Sequence, residues 1–162
     1  MNEYVSEAIV LEKDPQGELD ERVSVFTKRF GKFSAKVKSS RKITSKLSPH
    51  LEPGNLIRVR LVEKGNLQIV DALKSERLNS PPAFFYLLNR ILAEGEPDTE
   101  LWKALISGEA NWKKILGILG WDPMHASCEN CGRPGAASFH LASQSFFCGN
   151  CGSSARGETV LV

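Results

Sequence analysis

No apolar run in the 162 residues approaches the roughly 18 needed to cross a bilayer, so no membrane-spanning helix is expected. The opening Met1-Asn2-Glu3-Tyr4 has no basic segment leading into an apolar one. A signal peptide is therefore not expected, and a cytoplasmic location is. A phosphate-binding P-loop, a G-x-S-x-G nucleophile elbow and a glycine-rich dinucleotide fingerprint are all missing. No paired carboxylates stand in a recognisable catalytic pattern, and there are no internal repeats or low-complexity tracts. These gaps lead us to expect a protein that is not an enzyme.

The most informative absence is of negative charge. No Asp or Glu occurs between Glu21 and Glu52, while that window holds Arg22, Lys28, Arg29, Lys32, Lys36, Lys38, Arg41, Lys42 and Lys46. The window carries +9 of a net charge of +2, leaving −7 for the rest of the chain. A solvated basic face is the plainer reading. Nine unopposed charges in one stretch repel one another, however, and a concentrated basic patch on an otherwise acidic chain is the footprint of a polyanion partner.

What is present before residue 80 reads as strands. Tyr4 to Leu11 is rich in β-formers, Asp14-Pro15-Gln16-Gly17 is a turn signal, and Arg22 to Lys28 is a second strand that Gly31 separates from a third. Leu56–Val62 and Leu67–Asp71 flank a hairpin turn at Lys64-Gly65-Asn66. Five short strands predict a small closed barrel, because closure removes exposed edges. In the third strand Phe33, Ala35 and Val37 share one side, and Lys32, Ser34, Lys36 and Lys38 the other. In the fourth, Ile57, Val59 and Leu61 share one face, and Arg58 and Arg60 share the opposite one with Leu56 and Val62. Each strand thus offers an apolar side for a core and a basic side for a ligand. Phe30 and Phe33 are possible base stackers, with Phe33 better suited to the core. The loop from Ser39 to Pro53 is long, polar and basic, and long loops in compact domains tend to be functional or disordered.

After Ser80-Pro81-Pro82 the period becomes helical. Phe84, Leu87, Leu88, Ile91 and Leu92 predict one amphipathic helix. A second near Asp98 or Thr99 carries Leu101, Trp102, Leu105 and Ile106, and a third runs from about Glu109 to Leu119 with Trp112, Ile115 and Leu116 on one face. Trp102, Trp112 and Trp121 are better explained as packing than as base stackers.

Cys128-x₂-Cys131, a 16-residue spacer and Cys148-x₂-Cys151 form the strongest motif in the chain. Two C-x₂-C knuckles each present two thiolates and together complete a tetrahedron, so the four cysteines predict a structural Zn²⁺ site rather than disulfides. Gly132 and Gly152 follow each second cysteine, where a tight turn needs backbone freedom. Residues 137–141 and 145–147 look like the hairpin of a zinc ribbon. His140 is a conceivable substitute ligand, and His50 and His125 read as surface residues. A deaminase zinc site is not expected, since His125-Ala126-Ser127 lacks the required glutamate and no proline precedes Cys128. The predicted fold is therefore α+β: an OB-type five-stranded β-barrel over 1–79, a small helical region over 80–121, and a Cys₄ zinc ribbon with its tail over 122–162.

This order resembles the RecO family of bacterial DNA repair proteins. The likeness is carried by Thr27-Lys28-Arg29-Phe30-Gly31-Lys32-Phe33-Ser34-Ala35-Lys36-Val37-Lys38-Ser39-Ser40-Arg41-Lys42, a strand, a Gly-Lys turn and a strand running into basic residues. Ala8-Ile9-Val10-Leu11 matches the opening strand. Ser45-Lys46-Leu47 and Leu51-Glu52-Pro53-Gly54 match the entry to strand four. The family's usual glycine after the strand-three lysine is Ser39 here, and its helical region is usually longer. The resemblance implies a nucleoid-associated recombination mediator that binds single- and double-stranded DNA, anneals complementary strands and, with RecR, helps load RecA. It implies a contact with single-stranded-DNA-binding protein through the helical region, which is reduced in this chain. DNA contact is expected from Lys28, Arg29, Lys32, Lys36, Lys38, Arg41, Lys42, Lys46, Arg58 and Arg60. The competing expectation is a barrel-plus-ribbon module that binds RNA or serves as a protein-interaction adaptor in transcription or translation.

Overall fold

A computed structural model describes residues 1–162. The chain forms two compact units, Met1–Thr99 and Glu100–Val162. No helix is long and apolar enough to cross a membrane.

The first unit contains β1 (Asn2–Gln16), β2 (Asp20–Thr27), β3 (Gly31–Val37), β4 (Asn55–Lys64), β5 (Asn66–Arg77) and α1 (Pro82–Ile91). The strands close into a barrel in the order β1-β2-β3-β5-β4, and β4 returns to β1. Every seam is antiparallel except β3–β5, which is parallel and held at a single paired position, Lys36 against Gln68. Alternation fills the interior: Ala8 and Val10 of β1, Val23 and Val25 of β2, Ala35 and Val37 of β3, and Ile57, Val59 and Leu61 of β4 are buried together. Tyr4, Phe33, Leu47 and Leu67 are half-buried around this core.

The strands run longer than their apolar patterns. β1 continues through Asp14-Pro15-Gln16, pairing Gln16 with Asp20, so the expected turn begins only at Gly17. β5 extends six residues past Asp71 and pairs with the start of β4, although its last five residues are exposed. Backbone pairing rather than burial holds both extensions.

Ile9 and Leu11, on β1 beside Ala8 and Val10, are fully buried as well, as is Phe26 of β2. The reason is α1, which packs on β1 and buries Phe85 and Leu88. The buried stripe is Phe85, Leu88 and Leu92, whereas Phe84, Leu87 and Ile91 are only half-buried. The expected helical face is thus rotated by about one residue.

The chain after α1 straps the β2–β3 turn. The Gly95 N–H donates to the Lys32 carbonyl at 3.0 Å, and the Lys32 ammonium donates to the Asn89 carbonyl at 2.9 Å. Gly31, at φ +75°, lies under this strap, where a Cβ would stand 2.4–2.5 Å from the Glu96 backbone. Gly65 has the same φ of +75° with nothing within 4 Å. Gly65→Ala should therefore cost only the left-handed backbone penalty, about 1 kcal/mol. Gly31→Ala should cost roughly 3 kcal/mol, because rigid backbone must also move. Urea unfolding midpoints of the two variants check this, and equal losses would mean that the strap does not rest on Gly31.

The second unit contains α2 (Thr99–Ile106), which begins at the junction, α3 (Trp112–Ile118), and a small sheet of β6 (Ser138–His140), β7 (Ser145–Phe147) and β8 (Thr159–Leu161) in the order β7-β6-β8. Residues 80–121, expected as one helical region, are therefore divided: α1 belongs with the barrel, and α2 and α3 with the sheet. β8 falls in the stretch expected as a tail and pairs along β6. The Asn111 side chain caps α3 by accepting from Lys114 N–H at 2.9 Å, so this helix starts later than its apolar pattern suggests. Trp102 is buried, and Trp121 lies 5.3 Å, ring to ring, from the fully buried Phe139.

Candidate metal centre and nucleic-acid interface

The four cysteines converge. Cys128 and Cys131 lie on a turn that precedes β6, and Cys148 and Cys151 on one that follows β7. Each turn closes by the same bond: Gly132 N–H to Cys128 O at 2.8 Å, and Gly152 N–H to Cys148 O at 2.9 Å. Gly132 takes a positive φ of +71°, as expected, but Gly152 does not. At Gly152 the constraint is closeness instead, since a Cβ there would stand 3.0 Å from Ser138 Oγ, which would have to give way. The Glu129 N–H donates to Phe146 O at 2.8 Å and ties the first knuckle to β7.

All four Sγ atoms lie within 4.8 Å of one another, and Cys131 and Cys148 are 3.8 Å apart. A tetrahedral zinc with Zn–S near 2.3 Å has S–S edges of about 3.8 Å, so the donor set fits. The electrostatics agree. Backbone N–H groups, that of Cys148 first and then Cys131, draw the Cys128 thiol down to about 6. The Cys148 thiol is lowered, chiefly by the Cys151 N–H. The Asn130 amide, 3.3 Å from Cys151 Sγ, acts most strongly on that thiol and lowers it, yet the other three thiols and burial carry it up to about 11. Four thiols this close cannot all ionise against each other, and a divalent cation is what would let them do so. His140 is no substitute ligand: one ring nitrogen pairs with Ser143 Oγ and the other with Arg156 O, each at 2.6 Å. His125 is exposed as expected, whereas His50 is half-buried and accepts the Lys74 N–H through Nδ1 at 3.0 Å.

The ten basic residues expected to contact DNA lie in separate groups on the barrel and its loop. β3 and β4 are separated around the barrel by β5 on one side and by β1 and β2 on the other. On the β4 side, Arg60 pairs with Glu3 at 3.6 Å, Arg58 stands opposite Glu7, and Asp71 stands opposite Arg60 on β5. Acids interleave with these arginines and cancel much of their field. Near the β2–β3 turn, Lys28 pairs with Glu7 at 2.9 Å. Arg29 donates to Val5 O at 3.3 Å and lies 5.0 Å over the Phe30 ring. Phe30, Phe33 and Tyr4 pack against each other, ring centroids 5.3–6.4 Å apart. Lys32 is engaged under the strap, where burial, the largest influence, lowers its pKa.

The other group gathers at the opposite end of β2 and β3. Lys36 pairs with Asp20 at 2.7 Å, and Arg41 donates to Gly17 O at 2.9 Å. Lys38, Lys42 and Lys46 are exposed with no acid in ion-pair range. Arg22, opposite Lys36 in the β2–β3 register and exposed, joins them. It was missing from the expected set because only the register shows that it shares a face with Lys36. The loop that carries these lysines is ordered. Ser40 and Leu51 are buried, Leu47 packs on the barrel core, and Ser48–His50 forms a 3₁₀ turn.

Residues 1–78 match the family model of the recombination protein O N-terminal domain. The chain carries a RecO-family N-terminal domain. The match covers the barrel through the end of β5, and the whole basic loop lies inside it. This domain supports a role in DNA repair and recombination, with DNA as a partner. Ser39, at the position where the RecO resemblance leads one to expect glycine, takes φ +55°. Its N–H donates to Asp20 Oδ1 at 2.8 Å, a bond that glycine keeps. Ser39→Gly should therefore stabilise the protein by about 0.5 kcal/mol, the relief of left-handed strain less the added freedom of the unfolded chain. A rise in Tm of about 2 °C checks it, and a fall would mean that the serine side chain stabilises the turn.

Proposed function

We propose that this chain is a non-catalytic recombination mediator. It binds single- and double-stranded DNA without sequence preference through an OB-type barrel, anneals complementary strands and works with a RecR-like partner to load RecA. The observation that carries the reading is the acid-free loop of Lys38, Arg41, Lys42 and Lys46, held in place on a RecO-family barrel. The barrel's strand order supports the OB assignment. Cationic side chains on an ordered platform neutralise phosphates on two strands and reduce the repulsion that slows pairing. In this reading the Cys₄ site is a zinc ribbon that folds the second unit and leaves no open coordination position for catalysis. The protein works in the cytoplasm, at the nucleoid.

The test is fluorescence anisotropy of a mixed-sequence single-stranded DNA against a folded RNA hairpin of equal length, across a salt series. With four or five phosphate contacts on single strands, log K should fall with log salt at a slope of about −3. Strong preference for the folded RNA would overturn the DNA reading in favour of an RNA-binding module.

A further inference from the structure

Ile43 sits in the middle of the basic loop and is fully exposed, at 104% of its reference area. Its side chain has no apolar neighbour to explain it. The local backbone does not ask for isoleucine either. Lys42 N–H bonds to Ser39 O at 3.2 Å and Ser45 N–H to Lys42 O at 2.9 Å, so two turns follow each other and Ile43 stands at the corner of the second. Turn corners favour Gly, Pro, Asn and Asp, and a β-branched residue is a poor choice there. A residue that breaks a local rule with no packing gain is expected at a functional position.

The setting names the ligand. Arg41 and Lys42 precede Ile43, Lys46 follows it, and no acid lies in the sequence from Arg22 to Leu51. The loop is fixed at both ends. Arg41 N–H donates to Leu19 O at 3.0 Å, the Arg41 guanidinium to Gly17 O at 2.9 Å, and Leu47 packs on the core. An apolar tip on a fixed stem, flanked along the chain by cations, can push between stacked bases while the cations hold the phosphates on either side. Apolar wedges are used in this way by proteins that kink or unstack nucleic acids.

We propose that Ile43 is a wedge that inserts between neighbouring bases of a DNA strand whose phosphates are held by Lys38, Arg41, Lys42 and Lys46. The inference rests on the DNA-binding reading above and adds a base contact to it. Unstacking one step exposes base edges, which suits a protein that presents one strand to its complement.

The experiment uses the full chain, zinc-loaded, and a single-stranded oligonucleotide with 2-aminopurine at an internal position. Binding of the wild type should raise the fluorescence as the probe is unstacked. Ile43→Ala should lose most of that rise and bind about tenfold more weakly, with its salt slope and Tm unchanged. Ile43→Phe, which keeps an apolar wedge, should retain the rise. An equal rise with Ile43→Ala would overturn the wedge and leave DNA binding standing, whereas no wild-type binding at all would overturn both. The same cation-and-apolar tip also suits an anionic membrane. Co-sedimentation with phosphatidylserine vesicles that is lost in Ile43→Ala, with no fluorescence rise on DNA, would assign the tip to lipid and overturn the wedge.

Discussion

Stripping divalent metal from the protein is expected to unfold the Cys-bearing unit and leave the barrel folded. Structural zinc sites of this ligand type contribute roughly 10–16 kcal/mol in peptide systems, more than a unit of this size gains from its own core. The sheet in question has three strands of three residues each, and Phe139 is its only fully buried large side chain. Without the metal, the crowded thiols lose the charge that binds the two knuckles together. A clean readout is available. All three tryptophans, Trp102, Trp112 and Trp121, lie in Glu100–Val162 and none in Met1–Thr99. Chelation should shift tryptophan emission to the red and Zn²⁺ should restore it, while amide exchange in β1–β5 stays slow. Cys131→Ser should show the red-shifted emission without chelator. Unshifted emission from demonstrably metal-free protein would contradict a structural metal centre.

The second large effect concerns the loop. Lys38, Lys42 and Lys46 have no ion-pair partner in the fold, so neutralising them should not destabilise it. Lys36 is a poorer target, because it pairs with Asp20, whose carboxyl it holds below the usual range by hydrogen bonding. If each of the three lysines contacts a phosphate, each charge-assisted bond is worth roughly 1.5 kcal/mol. The triple Lys→Gln variant should then bind single-stranded DNA about a thousandfold more weakly at low salt. The salt slope should become shallower by about 2. By contrast, Arg58→Gln should change affinity little, because Arg58 lies outside the basic loop and stands opposite Glu7 on β1. If Arg58→Gln matched the triple variant, the interface would lie on β4 rather than on the loop.

Much of this was readable in the chain before its structure. Alternation in β3 and β4 assigned Ala35, Val37, Ile57, Val59 and Leu61 to the interior, because a pleated strand leaves no other arrangement. The paired C-x₂-C spacing singled out the four cysteines whose Sγ atoms gather within 4.8 Å of one another, because each knuckle turns two thiols to one side. What stayed hidden depends on partners distant in sequence. The burial of Ile9, Leu11 and Phe85 requires α1 to lie on β1, and nothing local says which strand face a helix will cover. The division of residues 80–121 between two units depends on the same kind of contact. Lys32 looks like a ligand-facing cation by alternation and becomes a structural donor only because α1 brings the Asn89 carbonyl to it. Conversely, β8 has too few residues to show a period and is a strand only because β6 offers it an edge. The acids that flank Arg58 and Arg60, Glu3 and Glu7 on β1 and Asp71 on β5, come from other parts of the chain and are not visible beside β4 in the sequence.

In the proposed function, the RecO-family barrel and its basic loop bring complementary DNA strands together. The most direct test is the annealing rate of two complementary fluorescent oligonucleotides at near-physiological salt, with folded, zinc-loaded protein. Wild-type protein should accelerate annealing, and the Lys38, Lys42 and Lys46 triple variant should lose that acceleration. An annealing rate unchanged by wild-type protein would contradict that function and leave the chain with the family's fold but not its chemistry.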